Sequence, residues 1–141
     1  MAEKGSLTVL IYSDNSLVRA SVVRAITPAP AADLGALTIK EFATAPALKD
    51  YFDDKGRADL LIVDGEASPV GGLGLAREIK DEVYNAPPIV GIIAREADRW
   101  LATWARLDAI ALHPIDPRAL AEEVAALLRK TTAVATAAPH H

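Results

Sequence analysis

A chain of 141 residues that is 51% apolar, carries a formal net charge of −4 and contains no cysteine has room for one hydrophobic core and not for two. Disulfides, thiolate metal sites and a cysteine nucleophile are excluded, and a net negative, charge-interspersed surface disfavours non-specific attachment to nucleic acid. No apolar run approaches the roughly 20 residues needed to cross a bilayer, and Met1 to Ser6 has no signal-peptide core.

Leu7 to Tyr12 is a continuous apolar run with one Thr, bounded by Ser13-Asp14-Asn15, as expected of a strand buried on both faces. Asn15 or Ser16 caps the helix that follows, whose apolar face is marked by Leu17, Val18, Val22, Ala25 and Ile26. Pro28 and Pro30 end it. Leu37 to Phe42 alternates and reads as a strand nearer the sheet edge. Thr44 caps a short helix with Pro46 in its first turn and Leu48, Tyr51 and Phe52 as anchors, and Gly56 closes it. Leu60 to Val63 is the third strand, ending in Asp64. Gly65 to Gly74 reads as a flexible Gly/Pro loop, and Leu75, Ile79 and Val83 then set a helical period. Pro87-Pro88 precede the fourth strand, Ile89 to Ile93. Glu96 to Leu107 reads as one helix carrying both tryptophans. Ala109 to Leu112 is the fifth strand, and Asp116-Pro117 opens a last helix through Leu120, Val124, Leu127 and Leu128. Positions 1–6 are expected to be an N-terminal extension, 7–130 the folded domain, and 131–141 a fraying tail.

Strands alternating with helices give a parallel sheet covered on both faces, because parallel strands need crossovers. The predicted class is therefore an α/β (βα)5 sandwich with a five-stranded parallel sheet. In such a sheet ligands bind at the carboxyl ends of the strands. Strand one delivers Ser13 and Asp14 there, strand three Asp64, strand four Ile93 and Ala94, and strand five His113. Two carboxylates converging from different strands can hold a hard cation such as Mg2+.

At these residues the sequence resembles the response-regulator receiver (CheY-like) family from Leu7 to Leu128, and the resemblance implies that family's flavodoxin-like α/β fold with strand order 2-1-3-4-5. The most specific stretch is Asp59-Leu60-Leu61-Ile62-Val63-Asp64, with Pro69 five residues later. The resemblance puts Asp64 in the place of the phospho-acceptor and Asp14 in the second place of the acidic pair. It makes the backbone carbonyl of Glu66 a third Mg2+ ligand beside Asp14 and Asp64. It also exposes departures. Ser13 stands where the family has a first acid, Ile93 where it has Ser or Thr, His113 where it has Lys, and Ile110 where it has an aromatic. A phosphoryl oxygen needs donors where its charge accumulates. Isoleucine cannot donate, and a neutral imidazole carries no full charge. His113 is thus a partial, pH-dependent substitute for lysine.

The stretches Asp64-Gly65-Glu66-Ala67, Gly71-Gly72-Leu73-Gly74-Leu75-Ala76-Arg77, Trp100-Leu101-Ala102-Thr103-Trp104 and His113-Pro114-Ile115-Asp116-Pro117 are similar to the stand-alone orphan response regulators of actinobacteria. That resemblance implies a pseudo-receiver that docks on proteins, with respiratory complex I (the NADH–quinone oxidoreductase) as partner. It implies a cytoplasmic chain brought to the inner membrane face by that partner. The alternative is a phosphorylatable single-domain regulator served by a sensor histidine kinase.

Other motifs carry less. Gly72-Leu73-Gly74 lacks the third glycine of a dinucleotide fingerprint, since Arg77 stands there. Ser13, His113 and Asp64 lack the strained elbow and oxyanion donors of a hydrolase, so no enzyme and no required cofactor is expected. Trp100 and Trp104 share a helical face. They are core if that face turns inward. If Leu101 and Ala105 are the inward pair, both tryptophans face outward as an interface, for a protein partner or for a homodimer.

Overall fold

The computed structural model describes residues 7–68 and 70–137, with side chains as far as Thr131. Pro69 and the extension at 1–6 lie outside the described residues. Five strands, β1 (Leu7–Tyr12), β2 (Leu37–Phe42), β3 (Leu60–Asp64), β4 (Ile89–Ile93) and β5 (Ala109–Leu112), alternate with helices α1 (Ser16–Ile26), α2 (Ala45–Asp53), α3 (Gly72–Glu82), α4 (Trp100–Ala105) and α5 (Pro117–Ala137). All strand pairs are parallel, as expected from the alternation of elements, and their order is β2-β1-β3-β4-β5, as the family resemblance implies.

The period-2 geometry of the central strands divides the interior in two. Val9, Ile11, Leu60, Ile62, Val90 and Ile92 face α1 and α5, where Val22, Ile26, Leu120, Val124 and Leu128 close the layer. Leu10, Tyr12, Leu61, Val63 and Ile89 face α2 and α3, against Leu48, Leu75, Ala76 and Ile79. β3 and β4 are buried at every position. The edge strand β2 alternates between half-buried and exposed residues along most of its length.

The caps follow the sequence. Asn15 accepts the Leu17 N–H at the start of α1. Thr44 accepts the Ala47 N–H at the start of α2. Asp116 accepts the Arg118 N–H before α5.

Four expectations are corrected. Leu17 is 75% exposed: it lies five positions before Val22, roughly 140° around the helix from the buried stripe. The stretch read as loop to Gly74 is already helix from Gly72, because the glycines serve close approach rather than flexibility. A Cβ on Gly72 would stand 2.4 Å from the Asp64 carbonyl oxygen. The helix read over Glu96 to Leu107 is a 3-10 turn at Glu96–Asp98 followed by the six residues of α4, which Arg106 ends in the left-handed conformation at φ 61°. Finally, α5 does not stop at residue 130 but continues to Ala137; positions 138–141 lie outside the described residues.

Candidate functional site: the crevice at the carboxyl ends of the strands

β3 is apolar until its last residue, so Asp64 emerges where the sheet ends, yet its side chain stays buried with that of Ser13. A buried carboxylate needs its lone pairs satisfied, and three different segments supply the donors. The Ser13 hydroxyl at the end of β1 donates to Asp64 Oδ2 at 2.7 Å. The Glu66 backbone N–H donates to Oδ1 at 2.9 Å. The His113 imidazole, at the end of β5, brings Nε2 to 3.1 Å from the same Oδ1, a contact that becomes an ion pair when the ring is protonated. No other cation is paired with Asp64 among the described residues.

Ser13 is itself held in place. Its Oγ accepts the Asn15 N–H at 3.0 Å, and its carbonyl accepts from Arg19 Nη1 at 2.6 Å. Arg19 is tied in turn to Glu41 of β2 at 3.0 Å. Asp14 is exposed, and its Oδ1 accepts the Ser68 N–H at 3.0 Å. Tyr12 donates its hydroxyl to the Val70 carbonyl at 2.6 Å. Burial first, and then the Asp14 and Asp64 carboxylates, push this phenol up from its usual 10.0. The β3–α3 loop is thus pinned at Glu66, Ser68 and Val70 by residues of β1, β3 and the turn after β1.

The open part of the site is a cleft of about 370 Å3 lined by Asp14, Asp64, Glu66, Ser68, Ala94 and His113. Ile93 is buried, so Ala94 and not Ile93 presents β4 to the cleft. Ser13, Asp64 and His113 do meet, but with Asp64 in the middle. The serine hydroxyl bonds the carboxylate rather than the imidazole, which is not the order in which a histidine activates a nucleophile. Asp14, Asp64 and Glu66 lie around one cleft, but both Asp64 oxygens and one Asp14 oxygen already accept hydrogen bonds. Among the described residues no group of three or more His, Cys, Asp and Glu side chains is arranged to hold a metal ion.

A larger cleft, of about 430 Å3, lies at the opposite end of the sheet, by the amino ends of β3, β4 and β5. Its carboxylates are committed to the backbone: Asp59 accepts the Thr8 N–H and Asp108 the Ile89 N–H, each at 2.7 Å.

The tryptophans of α4 face outward, Trp100 at 67% and Trp104 at 45% exposure, while Ala105 is fully buried and Leu101 half-buried. Trp104 is braced from α3. The Arg77 guanidinium lies 5.0 Å from its ring centroid, and Arg77 Nη1 donates to the Trp104 carbonyl at 2.8 Å. Arg77 was not foreseen as a site residue. Its only sequence signal is a basic residue on α3, which says nothing of a stacking partner 27 positions away.

Among the described residues no helix is long and apolar enough to cross a membrane. No protein-family model matches the sequence. Solved folds similar to this one include a receiver domain (CheY-like) of Methanospirillum hungatei, 17% identical with a TM-score of 0.72 over 92% of this chain and 98% of that one. A signal receiver domain of an HD domain-containing protein from Pseudomonas fluorescens is 12% identical with a TM-score of 0.77 over 97% of each. At those identities the likeness speaks for the fold. The sequence speaks more specifically. An uncharacterized response regulatory protein of Mycobacterium tuberculosis, found in two strains, is 44% identical over 124 residues, which are 88% of this chain and 92% of the relative. With a flavodoxin-like sheet in receiver order and an aspartate closing β3, the chain belongs to the response-regulator receiver family.

Proposed function

We propose that this receiver domain works as a docking module, a pseudo-receiver that acts through contact with a protein partner rather than by catalysis or phosphoryl relay. The observation that carries the reading is the α4 surface. Two tryptophans, the only two in the chain, stand exposed on one short helix. One of them has a cation from α3 against its ring. Aromatic anchors of this kind dominate protein interfaces, each costing about 2 kcal/mol or more on truncation. The crevice supports the same reading from the other side. Asp64 is already engaged by Ser13, Glu66 and His113, and β4 offers it no hydroxyl.

The partner implied by the resemblance to actinobacterial orphan regulators is respiratory complex I, with the chain as an accessory subunit at the inner membrane face. The Mycobacterium tuberculosis relatives support the actinobacterial response-regulator part of that grouping. Purification of the native assembly in mild detergent tests it. Subunits of the NADH–quinone oxidoreductase are expected to travel with the chain, and a Trp100→Ala chain is expected to lose them. Their absence from the wild-type preparation removes complex I as partner.

The competing reading is a phospho-receiver with Asp64 as acceptor, served by a histidine kinase. Its support is the position of Asp64 at the carboxyl end of β3 beside an open cleft. Incubation with a small phosphodonor and Mg2+, followed by intact mass, decides between them. An unmodified mass is expected. A stoichiometric adduct that Asp64→Asn abolishes overturns the docking reading.

A further inference from the structure

We infer that Asp64 is a structural strut and that the Ser13 hydroxyl stands in for the cation, so that the crevice takes no Mg2+. The inference rests on the docking reading and deepens it, by assigning what the acceptor position does instead.

The chemistry of the donors leads there. Mg2+ asks for near-octahedral oxygen ligands at short range and gives up its waters reluctantly, so a site for it must present free carboxylate oxygens. Here Oδ2 of Asp64 faces a hydroxyl that donates to it, and Oδ1 faces an N–H and an imidazole nitrogen. Asp14, the other carboxylate, has turned one oxygen onto the Ser68 N–H. No buried side-chain polar atom is left without a partner among the described residues, so no described side chain waits for an ion to satisfy it.

The strut joins the sheet laterally. Through one side chain β3 is tied to the end of β1 by Ser13, to its own following turn by Glu66 N–H, and to the end of β5 by His113. β3 neighbours β1 directly, but β5 is two strands away. The His113 contact therefore spans β4, whose residues Ile89 to Ile93 are all apolar or glycine and offer Asp64 no side-chain donor. Ser13 and His113 both satisfy Asp64 internally, and buried Ile93 gives the cleft no hydroxyl for a phosphoryl oxygen.

The sign of a stability change separates a strut from a metal site. Where carboxylates crowd to hold a cation, removing one without the metal relieves repulsion and raises the melting temperature. A bound metal raises it again by linkage. Where a carboxylate is the common acceptor of three donors, removing it strands them.

Thermal melts of the full chain with and without millimolar MgCl2 test this. Asp64→Ala is expected to lower Tm by about 5 °C or more, and Asp64→Asn, which keeps an acceptor oxygen, by less. Mg2+ is expected to leave the wild-type Tm unchanged. Ser13→Asp, which sets a second carboxylate against buried Asp64, is expected to melt below wild type and to regain part of the loss in Mg2+. The inference is overturned if Mg2+ raises the wild-type Tm and Asp64→Ala abolishes the rise, if Asp64→Ala is more stable than wild type, or if Ser13→Asp without metal equals it. None of these results decides the docking reading, which stands or falls by co-purification through Trp100.

Discussion

Single side chains at this protein's surface and crevice make bonds that connect distant segments. Arg129 on α5 forks Asp33 in the α1–β2 connection, with contacts of 2.8 and 2.7 Å. The guanidinium hydrogen bonds hold the Asp33 carboxyl down at about 2, against an ordinary 3.8. A depressed carboxylate stabilises the fold above its unfolded pKa, and that contribution fades as pH falls from about 4 through about 2. Arg129→Ala should return Asp33 to its ordinary range, read from its carboxyl chemical shift against pH. A titration unchanged by the substitution removes the pair as the cause.

Tyr12 makes the corresponding link inside. Tyr12→Phe keeps the ring packed but loses the bond to the Val70 carbonyl, at a cost of about 0.5–1.5 kcal/mol. Faster amide exchange confined to residues 65–71 is the expected signature. Because the folded phenol is pushed up, its contribution is complete below pH 10 and is lost as pH rises beyond it. The Phe variant should lack that alkaline slope.

Such links are the part least legible in the sequence. Asp64, Asp14 and His113 were expected at one crevice from the strand ends alone, and they lie there. The direct bond from Ser13 to Asp64 was not foreseen, because hydroxyl orientation follows from backbone placement 51 residues apart and leaves no local pattern.

Among the elements, the strands were the most legible. Buried parallel strands are short apolar runs between turn residues, so their limits are written in the hydrophobicity itself. Helix limits were less so, because a terminus is decided by packing as much as by local preference. Gly72 shows why. Its lack of a Cβ lets α3 begin directly against the Asp64 carbonyl, whereas in sequence the same glycine reads as a loop. Gly72→Ala should therefore displace the start of α3 and cost about 1–3 kcal/mol through overpacking. A denaturant melt measures the loss, and a loosened Glu66–Asp64 contact should appear beside it as faster exchange of the Glu66 amide. If the Ala variant is as stable as wild type, the close approach does not constrain the helix. The α4 boundary failed for a related reason. Arg106 adopts a left-handed conformation that few residues other than glycine and asparagine signal in advance.

For the molecule as a whole, the reading turns on surfaces rather than on a pocket. Both sheet faces are sealed by helices, and the described carboxylates of the larger cleft hold strand ends. Among the described residues the exposed large apolar side chains are Leu17, Val70, Tyr84 and the two tryptophans, of which only the tryptophans are paired on one helix. Trp100→Ala should leave Tm nearly unchanged, since most of its side chain is already in water. It should weaken partner binding by about 30-fold, the equivalent of roughly 2 kcal/mol. Trp104→Ala should also lower stability slightly, because it removes the ring on which Arg77 rests. A large fall in Tm with Trp100→Ala, at unchanged binding per folded molecule, moves the docking surface away from α4.

The length of α5 bears on how such experiments are built. Its 21 residues span about 31 Å, against about 17–20 Å for the five- and six-residue strands, and it runs from the crevice edge back to the opposite one. A fluorophore or capture handle joined after Ala137 is therefore delivered to the far pole of the domain. From there it can report on assembly while leaving the Asp64 crevice unobstructed.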